Sequence, residues 1–132
     1  MPIECHCGSE FLIDNCCLKF IKHDNKPTTA LELMRSRYTA YVLNEVDYLQ
    51  KTTAQNALKN FNKLEISKWA LENKWTRLKI LKTEKGQKNH SEGIVEFKAY
   101  YYDKSDGLQC HHERSNFVKY NNQWYYLKGK VY

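Results

Sequence analysis

Four of the five cysteines stand within thirteen positions near the N-terminus: Cys5 and Cys7, then Cys16 and Cys17. Two close thiol pairs on either side of a short loop suit a tetrahedral zinc, which takes four thiolate or imidazole ligands at about 2.0–2.3 Å. Gly8 lets the backbone turn tightly after the first pair, so amides of that turn can point at the sulfurs. Adjacent cysteines diverge on an extended strand. Cys16 and Cys17 can therefore share one metal only where the chain bends, for example on entering a helical turn. His6 and His23 are alternative imidazole ligands. A free or disulfide-linked cluster is the competing reading; the odd cysteine count and the lack of a legible secretory leader fit a disulfide poorly.

A second group with chemical potential lies in the stretch His111-His112-Glu113-Arg114-Ser115, which reads as a strand. Alternation puts Glu113, Ser115 and Phe117 on one face and His112 and Arg114 on the other. With Phe117 toward the core, Glu113 points toward a cleft, where a carboxylate needs a partner. Arg35, on the rim of the first long helix, is the expected partner, with Tyr38 or Tyr41 nearby. The group reads either as a ligand or acid/base site or as a structural ion pair tying helix to sheet. His111 and His112 are expected at the surface. With Cys110 they make a poor second metal site, because adjacent strand residues diverge.

The elements that must position these groups follow from pattern. A chain of 132 residues with 5 Gly and 2 Pro is one domain plus a small appendage that cannot fold without its metal. Residues 1–23 form the cysteine knuckle, 24–27 a short linker in which Pro27 disfavours helix at Lys26, and 28–132 the main domain. Thr29-Ala30-Leu31-Glu32 is a capping box, so a helix is predicted from about residue 29. Leu31, Met34, Tyr38, Tyr41 and Val42 fall on one face, Leu33 on the opposite side, and Arg35 and Arg37 at the two edges. Further helices are expected over 46–50 and 54–64, the latter with Ala54, Ala57, Leu58, Phe61 and Leu64 on one side, and a helical turn over 67–72. The period then changes to two. Strands are expected over 75–83, around 95–101, over 108–120 and over 123–131, separated by a polar loop containing Gly86, an Asp103–Gly107 turn and Asn121-Asn122. Helices first and consecutive hairpins afterwards predict an α+β fold, with helices packed on one face of a curved antiparallel sheet and an apolar cleft between them.

The net charge of +6 comes from scattered lysines with no run of five basic residues. That predicts a solvated surface before a nucleic-acid site, although Tyr100–Tyr102 and Trp124–Tyr126 could stack on bases. No stretch approaches ~18 apolar residues, so no membrane span is expected, and reduced thiols without a leader predict a cytoplasmic protein.

Cys5, Cys7, Gly8, Ser9, Phe11, Cys16 and Cys17 resemble the SEC-C motif, the zinc-binding tail also found on the SecA motor. Glu10 replaces the usual glycine and Phe11 the commoner tyrosine; neither is a ligand. Residues 30–42, Asp47-Tyr48-Leu49, Trp75 with Leu78 and Ile80, Gly93 with Val95, Phe97 and Ala99, residues 112–117 and Gln123-Trp124-Tyr125-Tyr126 resemble the YchJ family of small bacterial proteins. The resemblance spans about residues 5–129. It implies a SEC-C knuckle joined to a domain of the nuclear transport factor 2-like (NTF2-like) fold, and a family with no established biochemical activity. Two functions follow as expectations. One is a zinc-binding adaptor that docks a protein or ribosomal partner through the knuckle. The other is a small-molecule binder or minor enzyme, with Glu113 as base, Arg35 as anion anchor, and a Tyr38 or Tyr41 hydroxyl as donor beside Ser115. Related folds host acid/base chemistry in such a cleft, which is analogy from fold.

Overall fold

The computed structural model describes residues 3–132. A 3₁₀ turn at Ile13–Asn15 leads into α1 (Cys17–Ile21), followed by α2 (Ala30–Leu43), α3 (Val46–Lys51) and α4 (Lys63–Glu72). Four strands complete the chain: β1 (Lys74–Lys85), β2 (Glu92–Asp103), β3 (Gly107–Tyr120) and β4 (Gln123–Val131). They form one antiparallel sheet in sequence order. Register shifts near Trp75, Ile80 and Asn116 mark bulges, which bend a sheet and increase its local twist.

The capping signal is realised at α2. Thr29 Oγ1 accepts from the Glu32 amide at 3.1 Å, and Glu32 Oε1 accepts from the Thr28 amide at 2.7 Å. Asn44, at φ 56°, ends the helix in the left-handed conformation. The β3–β4 turn is also as expected: Asn121 and Asn122 both have positive φ, as a two-residue hairpin requires.

Two expectations fail. Residues 54–64 do not make one helix. A 3₁₀ turn covers Gln55–Asn60, the chain extends at Phe61, and Asn62 caps α4 by accepting from the Glu65 amide at 3.0 Å. The cap starts a new helix there, and Leu64 is left 83% exposed. Nor is α2 apolar on one face only. No residue from Ala30 to Val42 is exposed, and Leu33, expected opposite the apolar stripe, is fully buried. The sheet lies on one side of α2, and α1 and α3 lie against the rest.

The N-terminus of α2 meets the β1–β2 hairpin at close range. The Ala30 amide donates to the Gly86 carbonyl at 2.9 Å. A Cβ on Gly93 would lie 2.5 Å from Gly86 Cα, and one on Gly86 would lie 2.8 Å from Ala30 Cβ. Both glycines are needed for this approach, and Gly86 also needs its φ of +81°. Gly93→Ala should therefore destabilise the fold by about 2–3 kcal/mol in denaturant unfolding. A change within about 0.5 kcal/mol would show that helix and hairpin can separate at little cost.

Candidate metal centre and cleft

The four N-terminal sulfurs converge. One sulfur from each of Cys5, Cys7, Cys16 and Cys17 lies within 4.8 Å of the other three. Cys7 and Cys16 sulfurs are 3.7 Å apart, and those of Cys16 and Cys17 4.0 Å apart. Tetrahedral thiolates about 2.3 Å from a zinc stand roughly 3.8 Å from one another, whereas a disulfide needs about 2.05 Å. The set fits a tetrahedral metal, and all five cysteines are free.

Local structure explains the convergence. Gly8, at φ +82°, closes a turn in which its amide donates to the Cys5 carbonyl at 3.2 Å. The bend between Cys16 and Cys17 is the junction of the 3₁₀ turn with α1. Ser9 adds a hydroxyl 3.2 Å from Cys16 Sγ. The thiols also polarise one another. Hydrogen bonds from Cys17 and Cys5 hold Cys7 far below the usual thiol range, and Cys17 is pushed up as their donor. Burial pushes Cys16 up to about 11. A cation would replace these shared protons, since thiolates are the ligands of zinc.

The centre is not a free appendage. Cys5, Cys7 and Cys17 belong to the same buried cluster as Leu33, Met34 and Tyr38 of α2 and Val95 and Phe97 of β2. Cys5 Sγ lies 3.6 Å from Thr39 Oγ1. Arg35 Nη1 donates to the Cys7 carbonyl at 2.7 Å. His6 and His23 are exposed and lie outside the sulfur cluster.

That last bond corrects an expectation. Arg35 does not partner Glu113; it ties α2 to the cysteine loop. The arginine that enters the cleft is Arg37, two residues on and nearly opposite around the helix. The cleft, about 160 Å³, lies between α2, α4 and the sheet. Tyr38, Tyr41, Glu113 and Ser115 all line it, with Trp69, Trp75, His111 and Tyr126.

Glu113 is 9% exposed and fully engaged. Oε1 faces His111 Nε2 at 2.8 Å, while Oε2 accepts from Ser115 Oγ at 2.6 Å and from Tyr126 Oη at 2.9 Å. Burial pushes this carboxyl up, but the bonds from His111, Ser115 and Tyr126 outweigh it and hold it below the usual carboxylate range. Gly129 on β4 makes room: a Cβ there would collide with Glu113 Oε2.

Arg37 is 6% exposed. Its Nη1 donates to the Leu49 carbonyl at 3.0 Å and to Thr52 Oγ1 at 2.7 Å, with Thr53 Oγ1 at 3.4 Å. Its guanidinium carbon sits 4.7 Å from the Tyr126 ring centre.

The expectation of a surface His111 also fails. The residue is half-buried, with Trp69 and Phe97 ring centres 6.1 and 6.2 Å away. The alternation that groups Glu113 with Ser115 includes His111 one step earlier, so the sequence does carry the signal for it. His112, also expected at the surface, is half-buried too, on the other face, bonded to Glu96 at 2.8 Å beside Arg114.

Fold and site together define an α+β, NTF2-like protein carrying a largely buried four-cysteine cluster. The family of the middle, NTF2-like domain of YchJ matches residues 29–129. The UPF0225 protein NTHI0386 of Haemophilus influenzae is 42% identical over 97% of this chain and 78% of its own length. UPF0225 protein GSU1048 of Geobacter sulfurreducens is 38% identical over 95% of this chain and 77% of its own. The solution structure of RPA3114, a SEC-C motif containing protein from Rhodopseudomonas palustris, superposes with a TM-score of 0.89 at 32% identity, covering 98% of this chain and 99% of that one. A crystal structure of a SEC-C motif containing protein from Psychrobacter arcticus gives a TM-score of 0.82 at 31% identity, covering 98% and 82%. The chain belongs to the YchJ family.

Glu113→Gln should cost about 1–3 kcal/mol at pH 7, because two hydroxyls and an imidazole lose a charged acceptor. A lowered native pKa stabilises above the unfolded value of about 4.3 and loses that stabilisation as pH falls through the native value. The gap between wild type and Glu113→Gln in urea unfolding should therefore narrow from pH 7 to pH 3. A gap that stays constant would mean that the carboxylate charge is not its source. Gly129→Ala should destabilise by about 2 kcal/mol, displacing Glu113 from its hydroxyl partners.

Proposed function

We propose that the protein is a zinc-binding docking protein. Zinc at Cys5, Cys7, Cys16 and Cys17 orders the cysteine knuckle against residues 28–132, and the knuckle's outer face engages a protein or ribosomal partner. The observation that carries the zinc reading is the convergence of four sulfurs within 4.8 Å. Four thiolates fill a tetrahedral zinc and leave no open position for water, so the metal is structural. Thiolate ligands fit a reducing cytoplasm.

The docking reading rests on what faces outward. Phe11 is 66% exposed, and Ile3 and Leu12 beside it are exposed too. The Glu4–Leu12 bridge pairs the two segments that carry them. The basic surface supports nucleic acid less well, since Lys22 and Lys26 are engaged by Glu45 and Asp24.

A second reading is a small-molecule pocket, favoured by the polar constellation of Arg37, His111 and Glu113 in an aromatic cleft.

Metal analysis of protein purified without a metal-binding tag should give one zinc per chain, lost in Cys16→Ser and in Cys17→Ser. Because the thiols lie in the main buried cluster, chelation should also lower the melting temperature of the whole protein. Metal retained without Cys17 would overturn the four-cysteine assignment. For docking, Phe11→Ser should abolish co-sedimentation with ribosomes, or crosslinking to a protein partner, while zinc content stays at one.

A further inference from the structure

The cleft holds a cation that makes no direct salt bridge to any described carboxylate. Arg37 is more than nine-tenths buried, and its hydrogen bonds all leave from Nη1 toward neutral oxygens of Leu49, Thr52 and Thr53. Nε and Nη2 bond to no described residue. Buried charges are ordinarily paired. Glu113, the nearby anion, bonds His111, Ser115 and Tyr126 instead and makes no salt bridge to Arg37. The pocket therefore contains an anion with three hydrogen-bond partners of its own and a cation with donors to spare.

The remaining wall is aromatic. Trp69 and Trp75 meet edge to face with centres 5.0 Å apart, and Tyr41 lies about equally near both, at 6.0 and 5.9 Å. Trp75 Nε1 is a buried donor with no acceptor among the described residues. The volume of about 160 Å³ is close to that of an apolar cavity of about 150 Å³ that takes one benzene ring.

We propose that this cleft binds a small monocyclic aromatic carboxylate, its carboxylate held by Arg37 and its ring against Trp69 and Trp75. A guanidinium fork matches a planar carboxylate with two parallel bonds. A tetrahedral, strongly hydrated phosphate would find too few donors among these rings. The assignment rests on the second reading above, that the cleft is a binding pocket. It is independent of the knuckle's partner.

The test uses the zinc-loaded, ¹⁵N-labelled full chain, titrated with benzoate, benzamide and acetate. Indole N–H signals of Trp69 and Trp75 report the cleft. Trp124, whose Nε1 donates to the Thr28 carbonyl at 3.2 Å, is the internal control. Benzoate should shift Trp69 and Trp75 saturably and leave Trp124 in place, with benzamide and acetate each at least tenfold weaker. Arg37→Lys, which keeps the charge but loses the fork, should bring benzoate down to the benzamide level. Equal binding of benzoate and benzamide would overturn the carboxylate assignment while leaving a pocket. No shift of either cleft tryptophan with any probe, up to its solubility, would overturn the pocket as well. Both of these outcomes are read from the wild-type protein and hold even if Arg37→Lys does not fold.

Discussion

Much of this fold hangs on the polar residues of a helix with no exposed position from Ala30 to Val42. Helix α2 is covered from Ala30 to Val42, yet its sequence carries Arg35, Ser36, Arg37 and Thr39. Ser36, Arg37 and Thr39 are buried and Arg35 is partly so, and polar groups shielded from water need partners within the protein. Each of these four finds a partner in a different way. Arg35 takes the Cys7 carbonyl, and Thr39 lies beside the Cys5 sulfur. Ser36 pairs with the Tyr48 hydroxyl at 2.7 Å. Arg37 takes the carbonyl and hydroxyls at the end of α3. The polar residues of α2 thus fix where the knuckle, α3 and the cleft stand, and packing fills the rest.

Those polar residues also decide how much of the molecule is legible from sequence. Local signals are. Thr29 with Glu32 marks the start of α2, paired asparagines mark the last hairpin, and period-two alternation gives the strands. The same capping logic, applied to Asn62 and Glu65, splits the segment 54–64, where apolar spacing alone suggests one helix. The apolar stripe of α2 has two edges, and it does not say which edge faces the cleft. That is settled by the knuckle docking on the Arg35 side, a long-range contact that the helix period does not contain. His111 is a different case: the alternation that places Glu113 places it too, and only the general preference of histidine for the surface argues otherwise.

The metal centre and the cleft are therefore neighbours through α2 rather than separate modules. Arg35 and Arg37 lie about 200° apart around the helix, one toward the cysteine loop and one toward the cleft. The thiols sit in the same buried cluster as Met34 and Tyr38, which line the cleft. If the four sulfurs hold a metal, its loss would leave them without a shared cation next to the helix that forms one wall of the cleft. A metal held there would in this way matter to a pocket it never touches, by holding the helix at a fixed height and rotation.

The cleft itself gains its character from an ion pair that does not form. Had Arg37 met Glu113 directly, the two charges would have neutralised each other. Instead β3 and β4 supply Glu113 with its own donors: His111 and Ser115 from the same strand face, and Tyr126 from the neighbour. Gly129 gives up a side chain so that this arrangement fits. Satisfying a buried carboxylate three times over, while leaving a buried guanidinium with free donors, contributes little to stability that an apolar core would not supply. What it does supply is a fixed positive group facing an aromatic wall, in a space of one-ring size. A fold selected for packing alone has no need of that separation of charges; a site for an anion does.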